Sequence, residues 1–476
     1  MDTKNIKFSC FIPIPGIFFQ NQAIEKKSLL RLGRKNIKKN KIICQNSKEK
    51  IKDNEEWLES ILSVRNQTEK KYINKWRKVG VNLIKGLPFP SKIDESWKFT
   101  SLDEIFNMRF SKTQKKLSTN YLEKHLESYP GPKTVFLNGV YSNEFSNLYD
   151  LNKNVFIGDI KDYPNEGIDS VLDFLGKGES GVNGGFFPIL NIACLSEIFL
   201  LFISPGLELK TPINIIYIGS AESVSSSFNH RLVIISGENS KSKIIESHIG
   251  LGNSIYFDNT AISILTKEKS ELDFFLVNET SEQSILMNSI YADIKENSSL
   301  NFSTLSLGGL FSRINLGIDI NGTNCRCNIK GATLAKDNQV SDFHSRISHN
   351  LPNSKSSQLQ KILLTDKAHG VFAGKIQVQH GAGNSISDQL CKTLLLSSGS
   401  RIDALPILEI NNENVRCTHG STVSDLDKNH LFYLQSRGIA QNDAKKMLTI
   451  GFVNEMIEDF PSILKSKITR QINSLI

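Results

Sequence analysis

No apolar run in this chain reaches the roughly 20 residues that a membrane-spanning helix requires. The nearest, Ile189–Ile203, is broken by Asn191 and Glu197 and closed by Pro205, so no membrane partner is expected. Cysteine is scarce: seven residues, an odd number, are scattered from Cys10 to Cys417. That excludes a disulfide framework and points to a reducing compartment. Cys325-Arg326-Cys327 has no second pair nearby that would complete a zinc site. Gly308-Gly309 and Gly331 form neither a Walker loop nor a dinucleotide fingerprint, so no nucleotide site is expected on this chain. No nucleophile–His–acid series or paired-carboxylate motif stands out, and the chain reads as a non-enzyme. Acids are also nearly missing from the first fifty residues, where only Asp2 and Glu25 precede Glu49.

What is present is a long chain of ordinary globular composition. At 476 residues it exceeds one typical core and suggests two or three units. Its 39% hydrophobic and 22% charged residues exclude a disordered or membrane-embedded class. A net charge of +8 invites a nucleic-acid reading, but much of the excess sits in the acid-poor start. There Lys26, Lys27, Arg31, Arg34, Lys35, Lys38, Lys39 and Lys41 follow a Phe-rich patch, Phe8–Phe19. Residues 1–50 therefore read as a targeting peptide for organelle import, and no nucleic-acid partner is expected.

Residues 51–170 read as an N-terminal helical region. Trp57, Leu58, Ile61, Leu62, Tyr72, Ile73 and Trp76 fall on one helical stripe between Asn54 and about Lys85, ended by Gly86-Leu87-Pro88. Ser101 with Glu104 has the spacing of a capping box and predicts a second helix. Tyr129 to Gly185 is a zone of short strands and turns. From Phe186 to about residue 425, strand-like runs such as Ile213–Ile218, Leu272–Val277 and Ile314–Ile320 follow one another, with no helical period of length between them. The segment is large for a single sandwich. It holds only one Asn-Gly pair, Asn321-Gly322, where tight hairpins would want several. A β-solenoid core over 171–425 fits both facts, with small polar residues at tight corners.

Residues 426–476 read as a C-terminal helical region. A helix after Asp427 stops at Gly438, and Ala444, Leu448, Phe452, Met456 and Phe460 then recur every four residues up to Pro461. Just before it, strand-like Arg401–Ile410 and Asn414–Val423 flank an Asn-rich turn. On the second of these, Cys417 and His419 stand two residues apart and so share a strand face. A thiolate and a neutral imidazole suit iron–sulfur or zinc chemistry, but two ligands complete no coordination sphere. The plain alternative is a buried thiol and a hydrogen-bonded histidine. Upstream, Asp342 and His344 share another strand face, as a ligand-orienting pair or a satisfied structural cluster.

The runs PILEI, VRCTHGSTVSDLD and LFYLQSRGI, in that order, resemble the C-terminal signature of SufD, a subunit family of the SUF iron–sulfur assembly scaffold. Trp97-Lys98-Phe99-Thr100, the stretch Leu190–Ile218 and DFHSRISH resemble further parts of the same pattern, although His369 stands where the family usually carries Arg. The resemblance implies a right-handed parallel β-helix flanked by helical regions and a non-catalytic scaffold role. It implies SufB-type and SufC-type (ATPase) partners, the latter held by the C-terminal helices, and housing in the plastid stroma. It also implies a transient iron–sulfur cluster shared with SufB, with His419 and, less strongly, Cys417 as candidate ligands. The alternatives are the paralogous SufB type, whose pattern differs at CTHGST, and a solenoid enzyme acting on polysaccharides, whose clustered acids and export signal are missing.

Overall fold

The computed structural model describes residues 54–65, 70–111, 119–164, 171, 174–175, 185–220, 226–457 and 460–475. The basic leader lies outside the described residues. Between residues 199 and 424 the chain winds through about eight turns of a parallel β-solenoid. Its strands, with three that precede them between residues 133 and 159, stack into two ten-stranded sheets, and from Arg231–Ser236 onward alternate strands go to alternate sheets. Strict in-register pairing carries each inward position over its equivalent in the next turn, as in Gln358, Gln389 and His419. Apolar side chains stack in the same way down the lumen: Phe274 lies over Phe302 with ring centroids 5.4 Å apart. The alternation of buried and exposed residues along the strands follows from a side-chain period of two.

The corners explain why the sequence needs few Asn-Gly hairpins. Asn239, Lys269, Asn297, Asn353 and Asn384 adopt positive φ. Each is followed by a buried serine: Ser240, Ser270, Ser298, Ser354 or Ser385. Asparagine tolerates the left-handed region better than most residues. The hydroxyls of Ser240, Ser270 and Ser298 bond back to the corner backbone, the first two to the Gly237 and Lys267 carbonyls, both at 2.7 Å.

The two ends of the solenoid differ. At the start, Val140–Asn147 and Val155–Asp159 turn antiparallel against Lys133–Leu137 and Phe199–Ile203. Asp159 of the second is tied to Lys70 at 2.5 Å and to Tyr72 on the helix Lys71–Ile84. At the finish, Arg401–Ile410 and Arg416–Ser424 are the last strands of their sheets, each paired on one side only.

The N-terminal stripe forms two helical segments, residues 54–64 and Lys71–Ile84, packed around Trp57. The expected capping box does not form. Ser101 Oγ bonds the Asp103 carboxylate at 2.6 Å instead, and the helix, Asp103–Phe106, is one turn long. A helix also interrupts what reads as continuous strand: Phe186–Cys194 is helical, with all but one of its side chains buried. A segment buried all round has no polar face, so periodicity could not separate it from a core strand.

Three helices follow the solenoid, Lys428–Ser436, Gln441–Ile457 and Ser462–Leu475. Asp427 caps the first through the amides of Asn429 and His430, and Gly438 ends it at φ +87°. The apolar stripe beyond divides. Met456 and Phe460 join Val453, Leu464 and Ile468 against Phe275, Leu305 and Leu363 on the outer face of one sheet. Lys467, held by Tyr129 and Glu279, pins the last helix there. No helix among the described residues is long and apolar enough to cross a membrane.

Candidate functional site at the open end of the solenoid

Cys417 and His419 lie on the final strand, Arg416–Ser424, in register with Ser387 and Gln389. Those two neighbours are buried lumen residues, so both candidates belong to the inward column of the last turn. Cys417 is half-buried against Ile376, Val378 and Ala382, with Leu408 and Val415 beside it. Burial, and after it the Asp388 carboxylate, pushes its thiol above the ordinary range. His419 is exposed, because no further strand covers it. Between them Thr418 faces outward and donates to Asp388 at 2.6 Å.

Two polar columns run down the lumen beneath this pair. Under Cys417, Ser387 is 2.6 Å from Ser356, which is 2.9 Å from His349 Nε2. Burial lowers His349 to about 4, so it is neutral at physiological pH. Under His419, Gln389 donates from Nε2 to Gln358 Oε1 at 2.9 Å, and Gln358 in turn bonds Ser345. Around the rim, Leu405 and Ile407 are partly exposed, and Ile410 and Val423 more so. Among the described residues, no group of three or more His, Cys, Asp or Glu side chains is arranged to hold a metal ion. The pair at the rim offers one thiol and one imidazole.

Asp342 and His344 are brought together, at 2.9 Å, but as part of a clasp. Arg313 donates to Asp342 at 2.9 Å, stacks over Trp97 at 3.7 Å and is almost fully buried. Thr100 donates to the same carboxylate at 2.6 Å. Burial alone would raise the Asp342 carboxyl; Arg313, His344 and Thr100 together hold it far below the usual range. The Trp-Lys-Phe-Thr segment is thereby fastened to the solenoid. His369 is 2.7 Å from Asp403 and 3.4 Å from Arg401, whose guanidinium brings a permanent charge to that place.

One cluster escaped the sequence reading. Glu246, His248 and Asp258 meet deep in the first turns, with His248 Nε2 2.8 Å from Glu246 and Nδ1 2.7 Å from Asp258. Glu246-Ser247-His248 was a readable signal on one strand face; Asp258 joins only through the coil.

The chain matches a family model described as the SUF system FeS cluster assembly SufBD core domain over residues 217–452. An iron–sulfur cluster assembly SufBD family protein of Synechocystis is 28% identical over 399 residues, 82% of this chain and 87% of that one. The chloroplastic protein ABCI7 of Arabidopsis thaliana is 25% identical over 79% of this chain and 80% of its own. The iron–sulfur cluster assembly protein SufD of Escherichia coli is 25% identical over 78% and 85% respectively. With the two-sheet parallel solenoid and the C-terminal signature on its final turn, this chain belongs to the SufBD family of the SUF iron–sulfur cluster assembly system, on its SufD side.

Proposed function

We propose that this chain is a non-catalytic SufD-type scaffold subunit whose open solenoid end pairs with a SufB-type subunit, and that His419 and Cys417 face the place where a transient iron–sulfur cluster is built as cargo. The observation that carries the reading is the rim itself. Both sheets finish there in strands with one unpaired edge; apolar Leu408 packs beside Cys417, and Ile410 and Val423 are exposed along the two edge strands. Unpaired strand edges with apolar flanks favour pairing with another chain. A thiol and an imidazole then need a second chain to complete the coordination of iron.

The two ligands are unequal. A neutral imidazole offers its lone pair near physiological pH without losing a proton. The Cys417 thiol, raised by burial, must first be deprotonated, and only its thiolate is a good ligand. His419 is therefore the main contribution of this chain, and the partner supplies the main thiolate. The C-terminal helices dock a SufC-type ATPase, whose nucleotide cycle opens the pair. The basic leader directs the chain to the plastid stroma, a reading supported by the chloroplastic and cyanobacterial relatives.

Complementation of a SUF-deficient strain, alongside gel filtration of the three-protein complex, tests the site. His419→Ala removes the ligand but little buried volume, so the complex is expected to survive while cluster formation is blocked. Cys417→Ala is expected to do less. Full complementation by His419→Ala overturns the metal role, and loss of the complex would make His419 an interface residue.

A further inference from the structure

Gln389 is 2% exposed, and its amide is held on one side only. Nε2 donates down the lumen to Gln358, which is itself fixed by two contacts with Ser345, at 2.9 and 3.0 Å. The amide oxygen, Oε1, is buried with no hydrogen-bond partner. Leaving a buried acceptor unpaired is costly, which makes such an atom a pointer to a missing donor. The space for this amide is itself built: a Cβ on Gly374, across the lumen, would lie 2.1 Å from Gln389 Nε2. In register directly above Gln389 stands His419, one strand spacing of about 4.8 Å away, on the inward column of the last turn.

We propose that Gln389 is a positioning residue for His419: its amide oxygen accepts one ring N–H of the imidazole and leaves the other ring nitrogen free to face out of the solenoid. The proposal rests on the reading of His419 as a ligand to iron. A histidine ligand must present a lone pair at one nitrogen, and the hydrogen bond made by the other nitrogen fixes both the tautomer and the ring plane. Other groups near the rim are less suited to this. Asp388 is turned outward and engaged by Thr418, and Ser387 is engaged by Ser356 in the column under Cys417. Gln389 is uncharged, so it orients the ring without stabilising the protonated form that cannot bind a metal. Gln358 below holds the amide nitrogen, which keeps the oxygen toward the open end.

The test reads the tautomer of His419 in the full chain, from imidazole 15N shifts of histidine-labelled protein, with the signal assigned by its loss in His419→Ala. One tautomer is expected to dominate by about tenfold, the worth of one ordinary hydrogen bond. Gln389→Met keeps the length of the side chain and removes the acceptor; the ratio should return to that of free histidine. Gly374→Ala keeps the amide but displaces it, and should shift the ratio in the same direction, which covers the case that Gln389→Met does not fold. An unchanged ratio in whichever of these variants folds overturns the positioning role, even where His419→Ala blocks cluster formation. Full cluster formation in His419→Ala overturns the metal reading beneath it, whatever the tautomer does. Loss of cluster formation in Gln389→Met with the complex intact, together with the tautomer change, supports both.

Discussion

His248 has both ring nitrogens engaged by carboxylates, whereas His230 and His349 sit in the lumen without an acid in hydrogen-bond contact. Burial opposes charge on all three. At His248 the Asp258 and Glu246 carboxylates outweigh it and raise the imidazole to about 9. His230, stacked on Tyr217 at 4.0 Å, and His349 are lowered to about 4. The signs follow from linkage. The His248 contribution is fully present below about 6.5, the unfolded value, and is lost as pH rises through about 9. The other two contribute above about 6.5 and lose their share as pH falls toward 4. Urea-unfolding midpoints should therefore peak near pH 6–7, with an alkaline loss of up to about 3 kcal/mol between pH 6.5 and 9. His248→Gln should remove that alkaline limb, and a flat profile in the native chain over that range would refute the account. At the same scale, Cys417 and His419 were legible as a pair because strand side chains alternate. Gln389 beneath them was not, since only the coil register brings residues thirty positions apart together.

Strands were the most readable elements, because Ile, Val, Leu and Phe runs between polar corners mark them directly. The repeat was not legible: no fixed period appears, because the spacing of the corners drifts with loop length, and the recurring Asn-Ser step stands out only once the turns are seen. The C-terminal helices show where pattern reading stops. Periodicity finds the stripe through Met456 and Phe460 but cannot say what covers it, and here part of the answer is the solenoid itself. The apolar residues left outside are Phe432 and Tyr433 on the first terminal helix and Met447 on the second. Deleting the terminal helices would strip a sheet, so point substitutions make the cleaner test. Met456→Ala should cost about 2–5 kcal/mol, as a large-to-small change in a core does. Phe432→Glu with Met447→Glu should leave the melting temperature nearly unchanged and abolish co-purification with the SufC-type ATPase. Retained binding by that double variant would move the docking face elsewhere.

For the molecule as a whole, residues 1–50 carry the composition expected of an import leader. Their basic, acid-poor composition offers no core-forming pattern, and removal on import is the expected fate. Mass spectrometry of the mature protein should find its first residue between Asn40 and Asn54, and an intact Met1 in the mature pool would refute this. The solenoid itself has a direction. One end is turned back by antiparallel strands and fastened by helices; the other finishes in two open edges. Repeats that can stack on both faces tend to polymerise. The first end finishes in antiparallel edge strands and the last in parallel ones, so the two faces are unlike and copies stacked end to end would have to join mismatched surfaces. That asymmetry suits an unlike partner at the open end, as the proposed pairing requires, better than a row of identical copies.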